Sequence, residues 1–565
     1  MLVADQVCAT LTALGAQVVF GLPGTQNTLL YEALRTSGLR SVVASDEGAA
    51  AFMAAGYARA SGQPAVLTTI PGPGFLYALP GIAEARDDSA PILWLTLRAK
   101  TGDQAFPLQA IDQPAIAGPL VKRVIAIERA ADLATGLAAA WRAALDEEPG
   151  PVLVELGATL LSESAIESAA AAGDAAGDGA PDIRAQLIAR LRACERPLII
   201  AGQGAQGCAA AVRALAHAWN APVIFTCSGR GVLADEDALA FVQDFSMGVG
   251  DVVPPMLERA DLILALGCKF THNGSCGGQL VLPRARLVRI DSSAAVLAAN
   301  YPASLAVHAR LEQIVPAIEA AGIGRKAWEA AEMDGWRQQL AAQRRQPIEH
   351  EPCLEGCGTA TLTSFFAALA HALGSRALYT ADAGLHQLLT RRYAVVGRPR
   401  GLLCPSDFQS MGFGLPGAIG AALAQPDAHV VACIGDGGLA LSAGELLTAV
   451  REGLTLAVVV FNDRSYGLIR RQQIANYGHA SGVDLLNPDL AMLAAAAGCN
   501  FLHVEGDVEE AAQQIAGARG VTLVELRLGD APSFERARLK GIIKARARTA
   551  VPDSVWQRAR RLLRR

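Results

Sequence analysis

Short apolar runs alternate with longer, Ala-rich stretches of helical spacing along nearly the whole chain. Residues 18–24 (VVFGLPG) read as a strand running into a tight turn, and residues 41–44 (SVVA) as a second short strand. The middle of the chain repeats the pattern at 198–201 and 222–225, and the last third repeats it at 377–381, 429–434 and 456–461. These runs are apolar at successive rather than alternate positions, which suits strands buried on both faces. The helical stretches between them supply the crossovers that parallel strands need. The pattern predicts an α/β protein of doubly wound parallel sheets.

Two stretches break the alternation. Residues 162–182 are low-complexity (SESAIESAAAAGDAAGDGAPD) and read as an exposed linker. Residues 328–358 are charged and Gln-rich and read as a connecting helix and loop. They leave three blocks, 1–165, 183–325 and 358–530, and a strongly basic tail over 531–565. The tail reads either as a solvated helix with a frayed end or as a flap that folds over an anionic cofactor or substrate.

Composition narrows the class. Apolar residues make up 52% of the chain, enough to fill several cores, and aromatics only 5%, so Ala, Val, Leu and Ile must do the filling. A net charge of −5 gives no field that would attract nucleic acid or anionic lipid. No uninterrupted apolar run reaches the roughly 18 residues of a membrane span, and the first residues lack the basic region of a signal peptide. The 11 cysteines are scattered and odd in number, which points to free thiols and a reducing cytoplasm. Cys353 and Cys357 have no second pair or nearby His to complete a zinc site.

The densest chemistry lies in the third block. The strand at 429–434 ends in Gly435-Asp436-Gly437-Gly438, and the strand at 456–461 ends in Asn462-Asp463. Between them Ser442 and Glu445 read as a capping box opening a helix, with Leu446, Leu447 and Val450 on its apolar side and Gly453 as its stop. A strand–helix–strand crossover brings the C-terminal ends of both strands side by side, where open α/β sheets bind ligands. Two hard oxygen ligands beside a Gly-rich turn suit Mg²⁺ holding a diphosphate. Each motif alone is also a common turn.

Together the motifs resemble those of the thiamine-diphosphate-dependent enzymes, which carry Gly-Asp-Gly, a crossover, and then Asn-Asn. The resemblance implies that Asp436 and Asp463 bind Mg²⁺ by their side chains and Ser465 by its carbonyl. It places Ala383, Gly384, Leu385 and His386 under the diphosphate, Gln409 at the aminopyrimidine, and Met411 as a wedge between the two rings. Gly437, Gly438, Tyr466, Gly467 and Leu468 complete the expected cofactor contacts. Three departures stand out: Asp463 replaces an Asn, Gly438 replaces a Ser that commonly touches phosphate, and Gln409 replaces a Gly.

In the first block, Ser45-Asp46-Glu47-Gly48 opens an Ala-rich helix through Ala60. An acid in a first helical turn is often only a partner of the helix dipole. The order of strand, acid-Gly-Ala-Ala helix, strand and Pro71-Gly72-Pro73-Gly74 is similar to the family's pyrimidine-binding domain, and Glu47 falls on its catalytic glutamate. That glutamate shares a proton with the aminopyrimidine of a cofactor held by the other subunit, so the resemblance implies a homodimer or a dimer of dimers. Residues 108–112 (LQAID) resemble the Phe-Gln-Glu-x-Asp stretch of acetolactate synthases, with Gln109 on its active-site Gln. Thr25 would line the pocket and leave space for a second substrate. Phe75, Leu76 and Tyr77 replace smaller residues there, and are expected to narrow the pocket or give it an aromatic wall.

In the middle block, residues 202–207 spell Gly-Gln-Gly-Ala-Gln-Gly between a strand and a helix, a dinucleotide signal without the expected acid on the next strand. Acetolactate synthases keep FAD against this domain, and no specific residue here requires it. The expected domains are therefore pyrimidine-binding, central nucleotide-fold and diphosphate-binding. The expected activity is decarboxylation of a pyruvate-like 2-oxo acid and transfer of the acyl carbanion to a second carbonyl compound. Alternatives are a 2-hydroxyketone lyase of the same family, a nicotinamide-dependent dehydrogenase using the middle block, and a catalytically silent cofactor-binding partner subunit.

Overall fold

The computed structural model describes residues 1–100, 105–166, 181–348, 351–530, 534, 536 and 538–542. Most of the low-complexity linker and most of the basic tail lie outside the described residues.

The chain is α/β and forms three sheets. The first is wholly parallel, in the order Arg40–Val43, Val18–Gly21, Ala65–Thr69, Ile92–Leu97, Val152–Leu156, Arg123–Ile127. The second, also parallel, centres on Pro197–Ala201 and Leu262–Leu266. The third centres on His429–Gly435, flanked by Ala377–Ala381 and Leu456–Asn462, and it ends in the two-residue strand Cys353–Leu354, which runs antiparallel to Val521–Gly529. The central strands are buried at every position, as their continuous apolar runs require.

The helix Glu47–Ser61 is buried from Glu47 through Ala60. A helix that is apolar all round must be covered on all sides. Its own sheet covers one side and the helix Gly414–Ala424 of the third sheet covers another, so one apolar cluster runs from the first sheet into the third. The contact is close because it is made through small residues: a side chain at Gly56 would overlap the Gly417 carbonyl. The first and third sheets are thus one packed body around the helix that carries Glu47.

The crossover after Gly435 differs from the expected capping box. The helix begins at once, as Asp436–Ser442, and a second short helix follows over Glu445–Arg451. Ser442 sits at the end of the first, its hydroxyl donating to the Gly438 carbonyl at 2.9 Å. Glu445 reaches to the first sheet, where its Oε1 accepts from Ser45 N at 2.9 Å. Leu446 is buried, but Leu447 is 55% exposed and lies off the apolar side. The local pattern fitted a cap, and the tertiary partner won. All eleven cysteines are free. No helix among the described residues is long and apolar enough to cross a membrane.

Candidate functional site

A cavity of about 390 Å³ opens at the C-terminal ends of the third-sheet strands. Asp436 leaves the strand His429–Gly435 and Asp463 follows the strand Leu456–Asn462, and both line the cavity. Ala383, Gly384, Leu385, His386, Gln409, Met411, Gly437, Gly438, Ser465, Tyr466, Gly467 and Leu468 line it too. Three helices, Leu385–Tyr393, Asp436–Ser442 and Gly467–Tyr477, start there, so their unpaired N–H groups and positive dipole ends converge on it.

The two carboxylates are electrostatically coupled. Burial, then the charge of Asp436, push Asp463 up to about 6. Burial also raises Asp436, opposed by the Asn487 amide, which donates to its Oδ2 at 2.7 Å and to Asn462 Oδ1 at 2.9 Å. A dication would relieve both penalties. Among the described residues no three His, Cys, Asp or Glu side chains cluster as a metal cage. That donor set fits Mg²⁺, which takes one or two carboxylates and completes its shell with phosphate oxygens and water. Two further polar atoms await partners: His386 Nε2 and Ser465 Oγ are buried without a hydrogen bond. Burial pushes His386 down to about 4. Glycine is required at 467, because a side chain there would overlap Asp463 Oδ2.

Two of the three departures, at Gly438 and Gln409, have a local cause. A side chain at Gly438 would overlap Asp382 Oδ2, so no serine fits while Asp382 keeps this place. Asp382 is fully buried, its Oδ1 accepts from Gly414 N at 2.5 Å, and burial pushes it up to about 6. Gln409 stands at φ +63°, where glycine is the easy choice, and its amide offsets the strain by donating to the Pro405 and Ser406 carbonyls at 2.7 and 2.6 Å. Met411 is 37% exposed at the cavity, with its methyl beside Gly437, so it is not core filling.

The first domain anchors the segment that carries these two residues. Ser410 N donates to Glu84 Oε2 at 2.9 Å, Ser406 N donates to Asp88 Oδ1 at 3.2 Å, and Arg59, paired with Asp88, donates to the Cys404 carbonyl at 3.1 Å. Burial, then the charge of Asp88, push Glu84 up to about 8.

Glu47 is 8% exposed and does not line the cavity. Asp46 caps its helix by accepting from Ala49 N at 2.9 Å. Burial, then the charge of Asp46, raise the Glu47 carboxyl. Its Oε1 lies against Gly74, within 2.6 Å of where a Cβ would stand. Two residues earlier Gly72 packs against Gln109, and Thr25 is exposed in the turn after the strand Val18–Gly21. Glu47 and Gln109 thus share the Gly72–Gly74 segment on the first domain, apart from the cavity on the third.

The expectation for Phe75 fails. It is fully buried and stacks on Trp94 at 4.2 Å and 15°, in the first-domain core, so it shapes no pocket. Leu76 and Tyr77 are exposed, at 41% and 63%. The helix Pro73–Asp87 turns position 75 inward and the two positions after it outward. Sequence reasoning missed Asn487, Glu84 and Gln26. None sits in a local motif, and only the fold brings them to the site.

The middle-block glycines serve packing. A side chain at Gly202 or Gly204 would overlap the backbone of Gly267, so the two loops touch directly. A second cavity, about 350 Å³, lies beside them against the first domain, with Arg59, Lys269, Asp291 and Arg400 among its lining.

Three family models match the chain: the N-terminal TPP binding domain of thiamine pyrophosphate enzymes over residues 1–116, their central domain over 184–318, and their C-terminal TPP binding domain over 382–526. The chain is 32% identical to a probable 2-ketoarginine decarboxylase of Pseudomonas aeruginosa, over 91% of each chain. It is 28% identical to the large subunit of acetolactate synthase isozyme 1 of Escherichia coli, over 91% of this chain and 92% of that protein. It is also 28% identical to a probable acetolactate synthase large subunit of Methanocaldococcus jannaschii, over 87% of this chain and 85% of that protein. With all three domain models in order and relatives aligned along nearly its whole length, the chain belongs to the thiamine pyrophosphate enzymes, in their acetolactate-synthase-like group.

Proposed function

We propose that the chain decarboxylates a pyruvate-like 2-oxo acid and transfers the acyl unit to a second carbonyl compound, using thiamine diphosphate and Mg²⁺. The observation that carries this reading is the division of chemistry between two faces. A cavity lined by the buried carboxylates Asp436 and Asp463, suited to a dication and a diphosphate, lies on the third domain, and a buried carboxyl of raised pKa, Glu47, stands on the first. When bound, the cofactor supplies the nucleophilic carbon and takes up the electrons left by carbon dioxide.

The chain's residues bind, orient and move protons. Asp436, Asp463 and the Ser465 carbonyl would hold Mg²⁺, and the helix starts at Leu385, Asp436 and Gly467 would meet the diphosphate charge. Met411 and Tyr466 shape the wall beside Gly437. A carboxyl whose burial favours the protonated form is suited to share a proton with a ring nitrogen. Because Glu47 does not reach the cavity of its own chain, Glu47 of the partner subunit would complete it in a homodimer or a dimer of dimers. Gln109 is neutral, so it orients a carbonyl without shuttling a proton, which favours carboligation over simple protonation. Thr25 leaves room for the second substrate.

The similarity to a probable 2-ketoarginine decarboxylase supports a second reading, decarboxylation of a larger 2-oxo acid without ligation. One assay separates them: purified protein with thiamine diphosphate and Mg²⁺ receives pyruvate or 2-ketoarginine, and carbon dioxide is followed with the organic product. Acetolactate or acetoin from pyruvate, lost in Glu47→Gln, supports the first reading. Carbon dioxide from 2-ketoarginine alone supports the second. No turnover of either, with the cofactor bound, overturns both.

A further inference from the structure

Gln26 has no role in the account so far, yet its Nε2 donates a hydrogen bond to Gln109 Oε1. It sits in a turn fixed from within. Asn27 is fully buried, its Oδ1 accepts from Gly24 N at 2.7 Å, and its Nδ2 donates to the Leu22 carbonyl at 3.1 Å. The turn that carries Gln26 is therefore braced. Gln109 stands against a glycine. Its φ is +59°, and its Cβ stands 2.9 Å from the place a Cβ would take on Gly72. Gly74, two residues on, touches Glu47, so Gln26, Gln109 and Glu47 gather around one short segment.

We propose that Gln26 is a positioning residue that sets the polarity of Gln109. A glutamine side chain can present either its oxygen or its NH₂ group, and shape alone does not choose between them. Because Gln26 donates, Gln109 must answer with its oxygen. Its Nε2 hydrogens are then turned outward, and that atom is neither bonded to protein nor buried among the described residues. This face of the site is thereby a donor face. It recognises a carbonyl or carboxylate oxygen, as a 2-oxo acid or a carbonyl acceptor offers, and it disfavours a ligand presenting a donor there, which would leave two donors opposed. What the donors meet rests on the proposed function; the amide pair rests on geometry alone.

The test uses the full chain with four variants: Gln26→Ala, Gln26→Glu, Gln109→Ala, and Gln26→Glu combined with Gln109→Ala. Hydrogen-exchange mass spectrometry reads the pair without any substrate. Gln26→Ala is expected to speed exchange over residues 105–112 and to leave the helix Thr28–Ser37 unchanged. Unchanged exchange over 105–112 overturns the pair, whatever the enzyme turns over. Kinetics then read polarity, with pyruvate or 2-ketoarginine, whichever the wild type decarboxylates. Gln26→Ala frees the amide to turn and is expected to raise KM about tenfold, the scale of one oriented hydrogen bond. Gln26→Glu accepts instead of donating, forces the NH₂ of Gln109 toward itself, and is expected to cost more than Gln26→Ala. In the Gln109→Ala background the Glu substitution should lose most of its effect. An undiminished effect in that background would show that charge or folding, not the amide pair, is responsible, and would overturn the proposal. If neither acid is turned over, the functional reading fails, and the exchange arm still decides whether the pair exists.

Discussion

The two faces of the site are built on different principles. The third-domain cavity is concave, lined by residues of one sheet, and organised by helix starts that follow directly on strands. The first-domain face is a convergence of short segments: a turn at 22–27, a glycine pair at 72–74, a kinked residue at 109 and a helix start at 47. The cavity holds charge through backbone direction and two carboxylates. The other face holds one carboxyl and two amides against an apolar support. On the proposed function, the comparison teaches that binding a polyanion needs a preformed cradle, whereas moving one proton needs a single buried acid delivered accurately.

The largest effect should come from the smallest face. Glu47→Gln keeps the shape but removes the titratable proton, and turnover should fall by about 10²–10⁴-fold, the usual worth of a general acid–base group. Cofactor binding, followed by quenching of protein fluorescence, should change little. An equal loss of binding would show that Glu47 is structural.

The cradle should respond in the opposite way. Asp463→Ala removes a carboxylate proposed to bind Mg²⁺, and Mg²⁺-dependent cofactor affinity should drop by more than about 10–100-fold, the range seen when only a supporting group is lost. Calorimetric titration would measure it. The same site should be pH-dependent. Asp463 is pushed up to about 6, so below that pH it is protonated and cannot hold the metal. Affinity should be flat above about pH 7 and should weaken by up to about tenfold per unit as pH falls below about 6. An affinity independent of pH down to about 5 would contradict the assigned role.

The smallest effect should be at Gly438. Gly438→Ser restores the common family residue but crowds Asp382. It should lower stability by about 1–3 kcal/mol, as overpacking does, seen as a lower Tm. Asp382→Asn in the same chain keeps the crowding and should not rescue it, whereas Asp382→Ala should.

This contrast explains what the sequence made legible. That Asp436 and Asp463 meet at one cavity was legible because each follows directly on the end of a buried parallel strand, and a crossover sets those ends side by side. The α/β class and the strand runs were legible because buried parallel strands are apolar throughout. Glu445 misled because a capping box and a long-range hydrogen bond to Ser45 use the same residue type. Phe75 misled because local identity cannot tell which side of a helix faces the core. Gln26 and Asn487 left no signal, since each acts on a residue distant in sequence.

The central claim is that the cradle of one chain works with the glutamate of another. It is tested most directly by complementation. Glu47→Gln and Asp436→Ala proteins, each inactive alone, are dissociated, mixed and reassembled, and turnover is measured on the substrate that the wild type uses. In a mixed dimer one site combines an intact Glu47 from one chain with an intact Asp436 from the other. Statistical reassortment of a twofold dimer should therefore restore about a quarter of wild-type activity. A mixture that forms mixed dimers yet stays as inactive as its components would contradict the account.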